Sequence, residues 1–176
     1  YATHHLGIDV RCGMLEEAGF PASSFDVLTA WDVVEHVPDP VEFLRTCHDL
    51  LRPGGLMVLT TPDVGSLVAK LTGPRWMGFK LAEEHLYYFS RQTLALALRN
   101  AGFKPNLARP VGKDISLEFF AQRLQMYAPW LARPMGWAVR TVGLDRASVY
   151  VNPRDILLMV ARRPSPQAAA APWLLD

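Results

Sequence analysis

Residues 27–30 (Val-Leu-Thr-Ala) and 56–60 (Leu-Met-Val-Leu-Thr) are short and almost continuously apolar. That is the pattern of parallel strands covered on both faces. Between them Phe43, Leu44, Cys47, Leu50 and Leu51 recur at i, i+1, i+4, i+7 and i+8, with Glu42, Arg45 and Asp49 pointing elsewhere. This spacing predicts one amphipathic helix. Its start is marked by Asp39 as N-cap, Pro40 at the first helical position, and Glu42 in capping-box spacing from Asp39. Pro53 should stop it and Gly54-Gly55 should turn the chain into the second strand. Strand, helix and strand with short connections make a right-handed βαβ unit, whose ligand site lies past the carboxyl ends of its strands. Trp31, Asp32 and residues 60–63 stand at those ends.

Residues 6–11 alternate like a further strand, followed by a short acidic helical segment at Met14-Leu15-Glu16-Glu17. A short helix is expected at 65–71. A longer one begins after Ser90, carries Leu94, Ala97, Leu98 and Ala101 at helical spacing, and ends at Gly102. Strands follow at 103–109 and 156–161. The chain between them reads as an inserted pair of helices, 116–127 and 129–142, rich in aromatic and basic residues, within an insertion at about 114–145. The order of elements argues an α/β fold with a mostly parallel sheet, one domain over 1–163. Residues 164–176, with four consecutive alanines, read as a disordered tail.

The net charge of +1 on 176 residues gives no general pull toward nucleic acid. No run approaches the roughly 18 apolar residues needed to span a bilayer, and the first residues are no signal peptide, which points to the cytoplasm. Cys12, in the expected first strand, and Cys47, on the helix stripe, read as two buried thiols and not as a disulfide or a metal pair. Trp130, Arg133, Met135, Trp137 and Arg140 could make an interfacial membrane helix, but their few charges favour a lid packed on the domain. The oligomeric state is left open.

Four elements carry a resemblance: a strand ending in an acid, Asp32-Val-Val-Glu35-His36-Val37, the Asp39-Pro40 helix start, and Leu51-Arg52-Pro53-Gly54-Gly55 turning into a strand. Together they resemble class I S-adenosylmethionine-dependent methyltransferases, in particular the small-molecule group that includes the ubiquinone-biosynthesis O-methyltransferases. The resemblance runs from about residue 6 to 163 and implies a Rossmann-like sheet with S-adenosylmethionine as cofactor. Its glycine-rich loop after the first strand, and its acid closing the second, have no counterpart here. The strand at 6–11 matches the third of that family and lacks neighbours to pair with. The expectation is therefore the C-terminal two-thirds of a polypeptide beginning about 60 to 90 residues earlier, two strands and two helices at ordinary lengths, and inactive as this fragment alone.

The same resemblance assigns roles. It places the backbone of Trp31 near the methionine part of the cofactor, Asp32 near its polar end, and Met14 and Leu15 beside the adenine. The run Glu83-Glu84-His85-Leu86-Tyr87-Tyr88-Phe89-Ser90 resembles a His-Leu-x-x-Phe-Ser element that lines the methyl-transfer cavity in relatives. Trp76, Phe79 and Tyr87 are expected to wall a small aromatic or prenylated acceptor. His85 is the preferred general base, the alternative being support of the Ser90 cap. His36 could stack on the cofactor, take a proton, or only hydrogen-bond loop backbone. Asp32, His36 and His85 have no recognisable ligand spacing, so no metal is expected. The implied activity is methyl transfer to a small-molecule acceptor, at a hydroxyl oxygen; a degenerate binding module without activity is the alternative.

Overall fold

The computed structural model describes residues 1–80, 84–125, 128–144 and 147–165. Strands β1 (Phe25–Trp31), β2 (Leu51–Pro62), β3 (Lys104–Ser116) and β4 (Ser148–Arg162) form one sheet in the order β1-β2-β4-β3. Helices are α1 (Ala2–Leu6), α2 (Pro40–Leu50), α3 (Leu67–Thr72), α4 (Met77–Lys80), α5 (Arg91–Asn100), α6 (Leu117–Leu124) and α7 (Pro129–Thr141). The expected β1-α2-β2 unit is present, with β1 and β2 parallel. The sheet as a whole is mixed and not mostly parallel, because β4 runs antiparallel to both β2 and β3. β3 and β4 are the arms of one long excursion, with α6 and α7 at its far end, and a chain that returns beside itself pairs antiparallel.

The helix α2 starts where its local signals place it: the Asp39 carboxylate accepts from the backbone N–H groups of Val41 and Glu42, both at 3.0 Å. From its buried stripe, Leu44 and Cys47 join Leu94, Ala97 and Leu98 of α5 and Met57, Leu59 and Met159 of the sheet in one core. The α5 start is a capping box, with Ser90 and Thr93 each serving the other's backbone. Gly102 then leaves that helix at φ +91.

Several expectations fail for want of partners. Residues 6–11 form no strand: Leu6 ends α1, residues 7–11 have no regular structure, and no described strand lies beside them to supply ladder hydrogen bonds. Cys12 is consequently exposed, whereas Cys47 is buried. β1 is an edge strand, covered on one face only, with Ala30 buried and Val27 and Trp31 open. Gly54-Gly55 lies inside β2, which begins already at Leu51; the extra residues appear as a register shift between the Phe25–Leu51 and Val27–Leu56 pairs. A Cβ on Gly55 would stand 2.9 Å from the Arg52 carbonyl oxygen, so only glycine fits this bulge. The alanine run of the expected tail lies outside the described residues. α7 packs on α6, and Arg140 pairs with Glu118 at 3.3 Å, while Trp130 and Trp137 stay exposed. Among the described residues no helix is long and apolar enough to cross a membrane.

Candidate active site

Directly after β1, Asp32 turns the backbone left-handed at φ +54, a conformation that Asp tolerates better than most residues. The turn is locked across the sheet. The Asp32 N–H donates to the Thr60 carbonyl at 3.1 Å, and the Thr60 hydroxyl donates to Asp32 Oδ1 at 2.9 Å. Lys113, far along the chain on β3, reaches over to form an ion pair with the other Asp32 oxygen.

The loop after β1 is then laced to the segment before α5. The Glu35 carbonyl accepts from the N–H groups of Leu86 (2.9 Å) and Tyr87 (3.1 Å), and His36 Nδ1–H donates to the Glu84 carbonyl at 2.7 Å. This brings the His36 and His85 rings to a centroid distance of 4.8 Å in an edge-on arrangement. His85 Nδ1–H donates to the Gly78 carbonyl at 3.2 Å. A carbonyl can only accept, so each of these contacts assigns the proton to Nδ1 and the lone pair to Nε2. The Ser90 cap is itself completed by Thr93.

Glu35 itself is 1% exposed, and the groups nearest its carboxyl are the Thr61 hydroxyl and its own backbone, neither of them in full hydrogen-bond geometry. Burial pushes its pKa up; its own backbone and the Thr61 hydroxyl beside it pull the other way, Asp32 adds to the rise, and His36 opposes it. Donor atoms of Glu35, His36 and His85 spread over up to 4.8 Å. A group of this kind could hold a metal ion.

Two cavities flank this cluster. One, of about 400 Å³, is lined by Trp76, Met77, His85, Lys113, Phe119 and Phe120, among others. Trp76 is 1% exposed and its indole N–H donates to Asp155 at 3.1 Å. Gly78 makes room for that ring, since a Cβ there would lie 2.6 Å from it. Phe79 stands edge-on behind Trp76 at 5.2 Å and does not line the cavity. Tyr87 is turned away, its hydroxyl donating to the Pro38 carbonyl at 2.9 Å and its ring stacked on Phe89. The second cleft, about 730 Å³, lies beside β1 and is lined by Met14, Leu15, Phe20, Val33 and Phe43. Met14 is largely exposed and Leu15 half-buried.

A family model described as a methyltransferase domain matches residues 7–107, more than half of the chain and the span that holds β1, α2, β2, α5 and both histidines. The chain belongs to the class I S-adenosylmethionine-dependent methyltransferases. A ubiquinone biosynthesis O-methyltransferase of Parvibaculum lavamentivorans is 47% identical over 60 residues, which are 34% of this chain and 24% of that protein. Another, from Xanthomonas axonopodis pv. citri, is 34% identical over 103 residues, 55% of this chain and 43% of that one. The matched segments thus span less than half the length of these relatives. Among solved structures, a candidate methyltransferase from Bacillus halodurans aligns with TM-score 0.59 at 17% identity, over 91% of this chain and 79% of that one. The [4+2]-cyclase SpnF aligns with TM-score 0.56 at 19% identity, over 93% and 60%. These two share the fold, which by itself does not decide the reaction.

The family's cofactor is S-adenosylmethionine. The open apolar cleft at Met14 and Leu15 reaches Val33, the residue that follows Asp32. Sequence reasoning found both histidines and Trp76 through motif and composition. It missed Lys113 and Asp155, placed Thr60 at the strand end without a role, and named Glu35 without a role; the burial of a carboxyl has no signature in a linear pattern.

Proposed function

We propose that this methyltransferase-family chain serves methyl transfer from S-adenosylmethionine to a hydroxyl oxygen of an apolar small molecule, with His85 as general base. The observation that carries the reading is the cavity of about 400 Å³ in which an anchored imidazole is set among aromatic walls. Bound cofactor supplies an activated sulfonium methyl, so the protein is left with positioning, exclusion of water and removal of one proton. Trp76, Phe119 and Phe120 hold the acceptor and keep water out. His85 Nε2 accepts the hydroxyl proton. Met14 and Leu15 flank the adenine, the Trp31 backbone and Asp32 border the methionine end, and His36 serves the cofactor side. The acceptor's small, apolar character follows from the size and lining of the cavity; Phe79 acts behind Trp76, and Tyr87 acts by bracing Pro38.

His85→Ala should lower kcat by about 10² to 10⁴, the range for loss of a general base, with cofactor affinity nearly unchanged. His36→Ala should weaken cofactor binding first. Steady-state kinetics and calorimetry on the full chain, with phenolic acceptors, decide between the two. Near-normal turnover in His85→Ala would remove the base assignment.

A further inference from the structure

Three guanidiniums converge on a cleft that the methyl-transfer reading does not use. Arg91 opens α5, Arg109 lies on β3 and Arg154 on β4, and all three line one cavity of about 390 Å³. Among the described residues none of these side chains has an ion-pair or hydrogen-bond partner. The acid in the lining, Asp63, commits Oδ1 to the Gly65 N–H at 2.8 Å. Two of the three cations also stand where their own backbone disfavours them. Arg91 is the first residue of α5, where the helix dipole repels a positive charge. Arg154 is left-handed at φ +64, a conformation costly for a residue with a long side chain.

An interruption of the β3–β4 ladder carries Arg154 to the cleft. Val111 pairs with Ile156 and Lys113 with Val151, so Gly112 alone stands opposite residues 152–155. Those four residues leave the strand as a bulge, a device that re-aims side chains. The bulge is fixed at three points. A Cβ on Gly112 would collide with the Val151 carbonyl oxygen, the Arg154 N–H donates to Asn152 Oδ1 at 2.9 Å, and the Asp155 carbonyl accepts the Asp63 N–H at 2.8 Å. On its other side the same bulge offers Asp155 to the Trp76 indole. Val68 and Pro153 line both this cleft and the acceptor cavity, but none of the three arginines lines the latter. The two are neighbours across a shared wall.

We infer that this cleft is a binding site for a small phosphate monoester with an apolar body. Guanidinium forks match phosphate oxygens two at a time. A phosphate monoester brings about two negative charges at neutral pH, which answers three cations set against one acid. A single carboxylate would answer only half of that excess. Leu67, Val68, Ala108 and Leu157 supply walls for the rest of the molecule, which also gives a use to the largely exposed Leu67. A long polyanion fits less well, because the cations face one confined cleft and not a stripe. The inference stands apart from the role of His85.

Phenyl phosphate is the probe, titrated by calorimetry into the full chain beside inorganic phosphate. One phenyl phosphate should bind per chain, more tightly than inorganic phosphate, and its affinity should fall as salt is raised. Arg91→Gln and Arg109→Gln should each weaken it about tenfold or more, the effect of losing a charge-assisted hydrogen bond. Arg154→Gly should weaken it likewise while raising Tm, since glycine takes the left-handed turn without strain. All three side chains are exposed, so the variants keep the fold and each reads the site separately. Arg45→Gln, on α2, should change nothing. Absence of saturable binding at millimolar phenyl phosphate, or equal binding in the three variants and in Arg45→Gln, overturns the inference. Binding lost in Lys113→Met but kept in the arginine variants also overturns it, because the probe would then occupy the acceptor cavity. Sedimentation with phosphatidate-containing vesicles but no binding of phenyl phosphate overturns it as well, and places the arginines on a lipid surface.

Discussion

On the β2 side of Asp32 the chain sets its cavity on buried side chains, with Trp76 and His85 at 1% and 7% exposure; on the β1 side Met14 and Trp31 lie 53% and 56% exposed. The first flank is assembled from segments far apart in sequence, joined by the Glu35–Leu86, His36–Glu84 and Trp76–Asp155 hydrogen bonds. The second is an apolar face that a flat bound group would cover. The difference separates two tasks. On the proposed function, preorganisation belongs to the flank that moves a proton, and open apolar surface to the flank that only binds.

Thiol chemistry should show the contrast most strongly. Burial, reinforced by Glu16, pushes the Cys47 thiol up to about 12, whereas Cys12 is exposed on the open flank beside Gly13 and Met14. At pH 8 a thiol titrating near 12 is ionised to about one part in 10⁴. An aromatic disulfide reagent should thus take one thiol per native chain rapidly and the second only on unfolding. Two fast equivalents would mean that the α2 stripe is not closed over the sheet.

The tryptophans separate the flanks in stability. Trp76→Ala empties a filled place beside the acceptor cavity and should cost about 3 to 5 kcal/mol. Trp31→Ala removes an exposed side chain and should change stability by no more than about 0.5 kcal/mol, while weakening cofactor binding. Equal denaturation midpoints for the two would erase the distinction between a built flank and an open one.

What could be read in the sequence follows from how far each signal reaches. The α2 start was legible because Asp39, Pro40 and the apolar stripe act within one turn of chain, and so was the Ser90 start of α5. The parallel β1–β2 pair followed from the short helix between them. The strand expected at 6–11 was not formed, since alternation is local but a strand needs a neighbour's backbone. Sheet direction at β3 and β4 was misjudged because those strands are long arms carrying α6 and α7 at their far end, a geometry that apolar runs do not encode. In the site, His36 and His85 were both visible in motifs, yet their edge-on contact, the burial of the Glu35 carboxyl and the reach of Lys113 to Asp32 depend on loops 48 to 81 residues apart closing on each other.

The smallest effect concerns Glu35, buried beside the two histidines. Its pKa is raised in the folded chain, mainly by burial. For an acid raised in this way, the folded state binds the proton more tightly than the unfolded state does. Stability is then fullest at low pH and declines as pH rises from the unfolded value of 4.5 through the folded one, remaining lower at neutral pH. Glu35→Gln keeps the side chain's shape and removes the titration. Thermal unfolding at pH 7 should accordingly show a modest gain in Tm over the unsubstituted protein, and the gain should vanish as the pH is brought down to about 4. A loss of stability at pH 7 would show instead that the ionised carboxylate is held by favourable contacts in the folded chain.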